Sequence, residues 1–558
     1  MNGQGPPGRE ASGGPFHKGA AEMAEKVYGI DLGTTYSCLA GFDTNGRVVV
    51  FDNDLMEPTT PSVVYFTGRK AVVGTPAKEQ AAATPGAVVQ DIKREMGGAN
   101  TRLQSGKRLR PEMVSALVLR KLAQDGGIYD GRSKPTVVIT CPAYFGDPER
   151  KATRTAGELA GLDVKSVINE PTAAAISYGM EQTSLDGKVV LVFDLGGGTF
   201  DATVLRIGKS IETIATGGDS MLGGRDWDKL VAGHFMKRFA EETGVEAGEL
   251  ERDAVFVAEM EALAEKRKRD LSGTDKVRVS IERRGKVCHF EFTRAEFDSL
   301  TAGKLESAIL GAKDVVAKAR EKEPRLLHEE MEVLMVGGST LMPQVAEALR
   351  GAFGVEPKSY RPHEAVARGA AWYAKRRQAE SAGALYLGGK GGDNLHLPGE
   401  SGVLPPPIED VTSKSYGVKF VHSQWDQTGF VCNLIAKNTR VPCDRSRPSS
   451  TVRDWQTSVT YDIYEDDEAM EGGELSPKEE DGVCVKIGTM ELSGLTPRKA
   501  GETTAQVYMA LNPEGILHAW AIEDQTGKRC EVTIQTENAM TAREIEDAQS
   551  VVDWFKVE

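Results

Sequence analysis

Long hydrophobic runs are missing from this sequence. No stretch of about 18 apolar residues occurs in its 558 positions, so no segment reads as a membrane-spanning helix. A basic surplus is missing too. Against 82 acidic residues stand 68 Lys and Arg, a net charge of −14, which argues against a nucleic-acid or anionic-membrane surface. Paired cysteines are absent: Cys38, Cys141, Cys288, Cys432, Cys443, Cys484 and Cys530 include no CxxC. An odd, scattered set reads as reduced thiols in a cytoplasmic protein, with neither a disulfide framework nor a zinc site. Residues 1–25 lack the apolar core of a signal peptide and, rich in Gly, Pro and Ala, read as a disordered leader. What remains, 40% hydrophobic and 27% charged, is an ordinary globular composition, and the length predicts two to four domains.

Two patterns divide the chain. Over 26–380, short apolar runs alternate with amphipathic stretches. Val27–Ile30, Val137–Thr140, Val189–Phe193 and Val333–Val336 read as buried strands; Pro148–Ala160 and Glu259–Leu271 read as helices. That alternation predicts an α/β domain. Residues 381–410 shift to Gly, Pro and Ser and read as a linker, stiffened by Pro405-Pro406-Pro407. Over 411–540 the helical period gives way to Val459–Tyr464, Val483–Ile487, Ala505–Leu511, Ile516–Ile522 and Glu531–Gln535, separated by turn signals, which predicts an antiparallel β domain. An acidic loop, Glu465–Asp481, interrupts it. Residues 541–558 open on a Thr541/Glu544 capping box and read as a helix.

Two glycine turns stand out in the first domain: Asp31-Leu32-Gly33-Thr34-Thr35-Tyr36 and Asp194-Leu195-Gly196-Gly197-Gly198-Thr199-Phe200-Asp201. Each follows an apolar run, and each is Asp-x-Gly with threonine after it. Glycine lets backbone N–H groups approach a phosphate, threonine adds hydroxyl donors, and an aspartate at a strand end can hold a hydrated magnesium ion. One such turn is common loop chemistry. Two copies predict two similar half-domains facing each other. A third turn, Gly337-Gly338-Ser339, joins a strand to a helix where a nucleoside could lie, and by itself is equally an ordinary connection.

Together the strings GIDLGTTYSC (29–38), TCPAYF (140–145), INEPTAAA (168–175), FDLGGGTFD (193–201), LMVGGST (334–340) and EAVARGAA (364–371) resemble the seventy-kilodalton heat-shock chaperones of the DnaK type, in the family's order and over nearly the whole chain. The resemblance implies an actin-like ATPase fold of two lobes, followed by a β-sandwich that holds extended apolar peptides. It implies ATP or ADP, Mg2+ and a potassium ion as cofactors, and as partners unfolded clients, a J-domain cochaperone and a nucleotide-exchange factor. Asp31 and Asp194 would orient the magnesium water shell. Gly33, Thr34, Thr35, Tyr36, Gly196, Gly197, Gly198 and Thr199 would cradle the phosphates. Lys93 would lie beside the γ-phosphate, and Glu170 and Asp201 would position the attacking water or the potassium. Glu265, Lys268, Arg269 and Ser272, with Gly337, Gly338 and Ser339, would line the nucleoside. Pro142 and Arg150 match the pair that relays nucleotide state, and Val431, Val452 and Val459 match groove-lining positions, although ordinary β core is an equal reading of each valine.

Four departures from the family qualify this. Leu341 stands where the family has an adenine-stacking arginine, which predicts weaker nucleotide binding. The family's Leu-rich linker is replaced by Leu404-Pro405-Pro406-Pro407-Ile408-Glu409, and prolines cannot donate to a β ladder, which argues against docking. The stretch between Lys93 and Pro111 is short, so one subdomain is trimmed. Only the first helix of the family's lid is present, which predicts fast-exchanging clients. Two rival functions share the motifs: a nucleotide-gated adaptor with a few fixed partners, and a small-molecule kinase on the same ATPase fold.

Overall fold

In the computed structural model, residues 26–181, 187–328, 330–381, 404–426, 429–466, 474–475, 484–513, 515–533 and 540–558 are described. The expected leader, most of the linker and most of the acidic loop lie outside these.

Strands that are apolar on both faces need cover on both sides. Thr136–Cys141 and Lys188–Leu195 are buried along almost their whole length, each an interior strand of a sheet flanked by helices. The first sheet runs Asp163–Asn169, Thr136–Cys141, Val27–Asp31, Tyr36–Phe42, Val48–Phe51. The second runs Lys358–Ser359, Met331–Val336, Lys188–Leu195, Phe200–Ile207, Ile211–Asp219. The order is the same in both: an antiparallel three-strand meander, then two strands added in parallel beside its first strand. The Asp-x-Gly turns occupy equivalent places, each between the first and second strands of its sheet. The repetition read from those turns is therefore a repetition of topology. Each sheet has its own apolar core, and a third cluster, with Val138, Ala174, Val192 and Ala370, joins them.

The β domain has a five-stranded and a four-stranded antiparallel sheet. Alternate residues of both, including Val418, Ile463, Met490, Val507, Met509 and Ala519, meet in one core. Glu474–Leu475, inside the acidic insertion, adds a short edge strand beside Val431–Cys432.

Two expectations are corrected here. The linker does dock. Ile408–Glu409 pairs in parallel with Ile211–Glu212 at the edge of the second lobe's sheet. Proline lacks an N–H but keeps its carbonyl: Ile211 N donates to Pro407 O at 2.8 Å, and Arg376 Nη1 donates to Pro405 O at 2.7 Å. The terminal helix, Ala542–Trp554, forms with the expected capping box but does not lie over a groove. Ala548, Val552 and Phe555 are buried in the first lobe's core, and Lys556–Val557 extends a small sheet there by pairing with Lys70–Ala71. No helix among the described residues is long and apolar enough to cross a membrane.

Candidate functional site

The two turns meet face to face in the cleft between the lobes. A methyl group on Gly197 would come within 1.9 Å of Thr35 Oγ1, and one on Gly198 within 2.2 Å of Thr34 Cγ2, so only glycine permits this approach. Behind them the third turn closes in. Gly337 has φ +83°, and a side chain there would strike Leu195 O at 2.4 Å and Asp194 Oδ1 at 2.5 Å. Ser339 Oγ donates to Gly196 O at 2.8 Å, tying this turn to the second. The pit they enclose is lined by Asp31, Gly33, Thr35, Tyr36, Glu170, Asp194, Gly196, Gly197 and Thr199 at one side, with Gly337, Gly338 and His363 at the other.

Charge in the pit is concentrated and poorly hydrated. Lys93, 4% exposed, pairs with Glu170. Asp194 and Asp201 are also buried. Burial, then the Glu170 charge, pushes the Asp31 carboxyl up to about 7 and holds Asp194 and Asp201 well above the ordinary carboxylate range. Burial works against the Lys93 ammonium, but Glu170 and Asp31 outweigh it and raise its pKa. Several polar atoms here have no partner: Thr34 Oγ1, Thr35 Oγ1 and Asp201 Oδ2 are buried without a hydrogen bond. Unmet hydroxyls and excess carboxylate are what a phosphate chain with a hydrated cation would satisfy.

At the other end of the cleft, helix Ala254–Gly273 presents Glu265, Lys268 and Arg269. Lys268 Nζ donates to Gly224 O at 2.9 Å and pairs with Asp228 at 2.7 Å. Arg269 Nη2 reaches Tyr36 OH and Glu265 Oε1, both at 2.6 Å. Ser272 Oγ makes only a long, 3.5 Å bond within its own helix. Leu341 is exposed.

Sequence reading missed the residues that hold the lobes together. Lys78 Nζ bonds Tyr36 OH at 2.9 Å and Glu265 at 2.7 Å, Arg94 pairs with Asp226 at 2.7 Å and donates to Gly198 O, and Arg225 pairs with Asp91 at 3.1 Å. Each joins positions far apart in the chain and looks like surface charge in isolation.

A continuous path leaves the pit toward the β domain. Ala143 N donates to Asp201 Oδ1 at 3.1 Å. Two residues on, Phe145 N bonds back to Pro142 O, while Phe145 O accepts from Arg150 Nε at 2.9 Å and from Ser413 Oγ at 2.9 Å. Arg150 also donates to Asn169, whose amide donates to Asp410 Oδ2 at 2.7 Å. Asp147, wholly buried, accepts from Leu517 N at 3.0 Å. Asn438 receives Thr216 N at 3.2 Å and, at its carbonyl, Lys322 Nζ at 2.6 Å. Pro142 and Arg150 thus sit on the bridge between site and β domain.

The three valines are not equivalent. Val431 is fully buried with Tyr464 and Cys484, and its backbone is paired with Leu475, so it lines no open groove. Val452 and Val459 are half-buried at the far end of the β domain. Trp455, three residues after Val452, is 66% exposed, and Trp425, between Ser415–Phe420 and Phe430–Ile435, is 82% exposed, two aromatics the sequence reading passed over.

These features have a family counterpart. A family model described as Hsp70 protein matches residues 27–557, nearly the whole chain, and the chain belongs to the Hsp70 family.

Proposed function

We propose that this chain is an ATP-hydrolysing chaperone of actin-like architecture, whose nucleotide cleft controls a β-sandwich that binds extended apolar peptide. The observation that carries the reading is the opposed pair of glycine turns over the Lys93–Glu170 pit, joined by hydrogen bonds through Pro142–Arg150 to the β domain. Family membership supports the ATPase and chaperone parts in general terms.

The backbone N–H groups of 33–36 and 196–199 would hold the phosphates, with the Thr34 and Thr35 hydroxyls as donors. Asp31 and Asp194 would hold a hydrated Mg2+, which when bound supplies positive charge to the phosphate oxygens. Lys93 would stabilise charge developing on the terminal phosphate, and Glu170 would orient the attacking water through the carboxylate oxygen that Lys93 does not hold. Asp201, with one oxygen unpartnered, would position that water or a potassium ion. Ala143 N on Asp201 gives the β domain a mechanical link to the same carboxylate. Closure of the lobes and docking of Ile408–Glu409 would rise and fall together.

The test is ATP turnover with and without an extended apolar peptide, in wild type, Lys93→Ala and Thr199→Ala. Peptide stimulation that both substitutions abolish supports a coupled chaperone. Turnover blind to peptide favours a second reading, a nucleotide-gated adaptor, for which the sealing of Val431 beneath Glu474–Leu475 speaks. A pulldown dominated by one partner would decide for it. J-domain and exchange-factor partners rest on the family alone.

A further inference from the structure

The second lobe carries a groove that none of the roles above uses. Helix Arg294–Lys322 is 29 residues long, while Pro343–Phe353, packed beside it, has 11. The shorter helix cannot cover the longer. Asp298, Ala302, Leu305, Ile309 and Lys313 recur at steps of three and four along one face of the long helix, a run of about 22 Å. Gln344, Glu347 and Ala348 repeat that spacing on the short one, and an open groove of about 530 Å3 lies between them. Its floor asks for no hydrogen bond. Gln344 Nε2 donates to Thr301 Oγ1 at 3.0 Å, and Thr301 Oγ1 donates to Phe297 O at 2.8 Å. What the floor then offers is Leu305, Ile309, Ala302 and Ala348, with Leu310, 56% exposed, at its edge. A lone exposed leucine needs no explanation, but one continuous with an apolar groove does.

The rim is acidic. Asp298, Glu306 and Glu347 border the groove, and Lys313 is the one cation among the lining residues. Among the described residues, none of the three carboxylates is in an ion pair. Burial, then the Glu347 charge, raises the Asp298 pKa. Arg294 opposes them but is tied to Asp275 at 2.8 Å and to Leu271 O at 2.9 Å. The missing positive charge does not come from the chain itself. Residues 1–25 set Arg9 and Lys18 against Glu10, Glu22 and Glu25, and residues 382–403 set Lys390 against Asp393 and Glu400. A second copy would bring its own net charge of −14.

We propose that this groove docks an amphipathic helix of a partner protein, with leucine-like side chains on the floor and Lys or Arg along the flanks, facing Asp298, Glu306 and Glu347. A helix presents its apolar anchors at the same three- and four-residue steps that the floor shows. Its flanking cations meet three carboxylates that have no counter-charge of their own. The site lies outside the nucleotide cleft and does not depend on the ATP reading.

The experiment is fluorescence anisotropy of a labelled synthetic Leu/Lys amphipathic helix, about four turns long. It is added to the full chain with an excess of unlabelled extended apolar peptide, which occupies any peptide site in the β domain. The proteins are wild type, Leu310→Ser, Glu347→Lys and Glu321→Lys. Leu310 and Glu347 are exposed, so either substitution leaves the fold intact, and Glu321 is exposed on the same long helix outside the groove. Docking predicts that wild type binds the probe and that Leu310→Ser and Glu347→Lys each weaken it about fivefold or more at an unchanged melting temperature. Glu321→Lys should bind as wild type does, a matching Leu/Glu helix should not bind, and added salt should weaken wild type more than Glu347→Lys. No binding by wild type overturns the proposal. So does an equal loss in Glu321→Lys and Glu347→Lys, which would reduce the effect to net charge, and so does wild-type affinity in Leu310→Ser, which would leave the floor unused. Self-association of wild type in sedimentation, lost in Leu310→Ser, also overturns it and makes a second copy the occupant.

Discussion

A single ammonium holds the pit together. Lys93 is buried among the charges of Asp31, Glu170, Asp194 and Asp201. Lys93→Ala should lower turnover by about a hundredfold or more, since the role proposed for its charge is to face the transferring phosphate. It should also lower the melting temperature of the metal-free protein, because four carboxylates lose their counter-charge, and Mg2+ with nucleotide should recover most of that loss. Asp31 makes a separate prediction. With its carboxyl at about 7, much of it is protonated at neutral pH, and a cation bound there must displace the proton. Binding of Mg2+ and nucleotide should then tighten between pH 6 and pH 8 and release protons, seen as a buffer-dependent enthalpy; Asp31→Asn should bind weakly and release fewer protons, with Asp194 supplying what is left. Asp31, Glu170, Asp194 and Asp201 stand in the matched strings, whereas Lys93 is singled out only by its match to the family's lysine. The pairing was not legible in the sequence: Lys93 and Glu170 stand 77 positions apart, and nothing in the Asp91–Arg94 stretch signals that its lysine is buried.

Elements were easier to read than contacts, because burial on one or both faces writes a period into the sequence. The run Val333–Val336 is the buried part of Met331–Val336, and Glu259–Leu271 lies within Ala254–Gly273, where Met260, Ala264 and Leu271 mark the buried stripe of a largely charged segment. The linker was misread because only its missing donors were counted, when its docking uses the Pro405 and Pro407 carbonyls. Ile408 packs on the cluster that joins the two lobes. Ile408→Asp should therefore abolish peptide stimulation of turnover while leaving basal turnover near wild type. Docking should also respond to acid. Burial raises the carboxyls of Asp410 and Asp147 above their ordinary values at this interface, and both return toward those values when the domains separate. The docked form thus binds protons more tightly. Docking strengthens as pH falls from the raised values toward the ordinary carboxylate range and stays level, at its weakest, above the raised values. Asp410→Asn together with Asp147→Asn should flatten that dependence, measured as protease protection of the linker against pH.

At the scale of the molecule, the β domain is tethered at both ends. Its leading segment is a strand on the second lobe, and its trailing segment is a helix and strand on the first. The second tether is extensive: Phe555 meets Phe66 edge-on at 5.2 Å, Gln549 donates to Leu159 O at 3.2 Å, Arg69 and Lys107 flank the Trp554 ring, and Glu558 exchanges backbone bonds with Ala71 and Val73. From the sequence, an amphipathic helix after a β domain fits a lid and a brace equally well, because the capping box and apolar stripe fix that a helix forms and not which surface it covers. The two roles predict opposite outcomes for one substitution. Val552 is fully buried in the first lobe's core, and a carboxylate there has no partner. Val552→Asp should cost several kcal/mol and lower the melting temperature of the nucleotide domain by about 10 °C. A lid would show the change instead in the off-rate of bound peptide. A brace on the first lobe leaves that off-rate at the wild-type value below the melting transition. An off-rate that rises severalfold, with the melting temperature unmoved, would return the helix to the groove and detach it from the lobe.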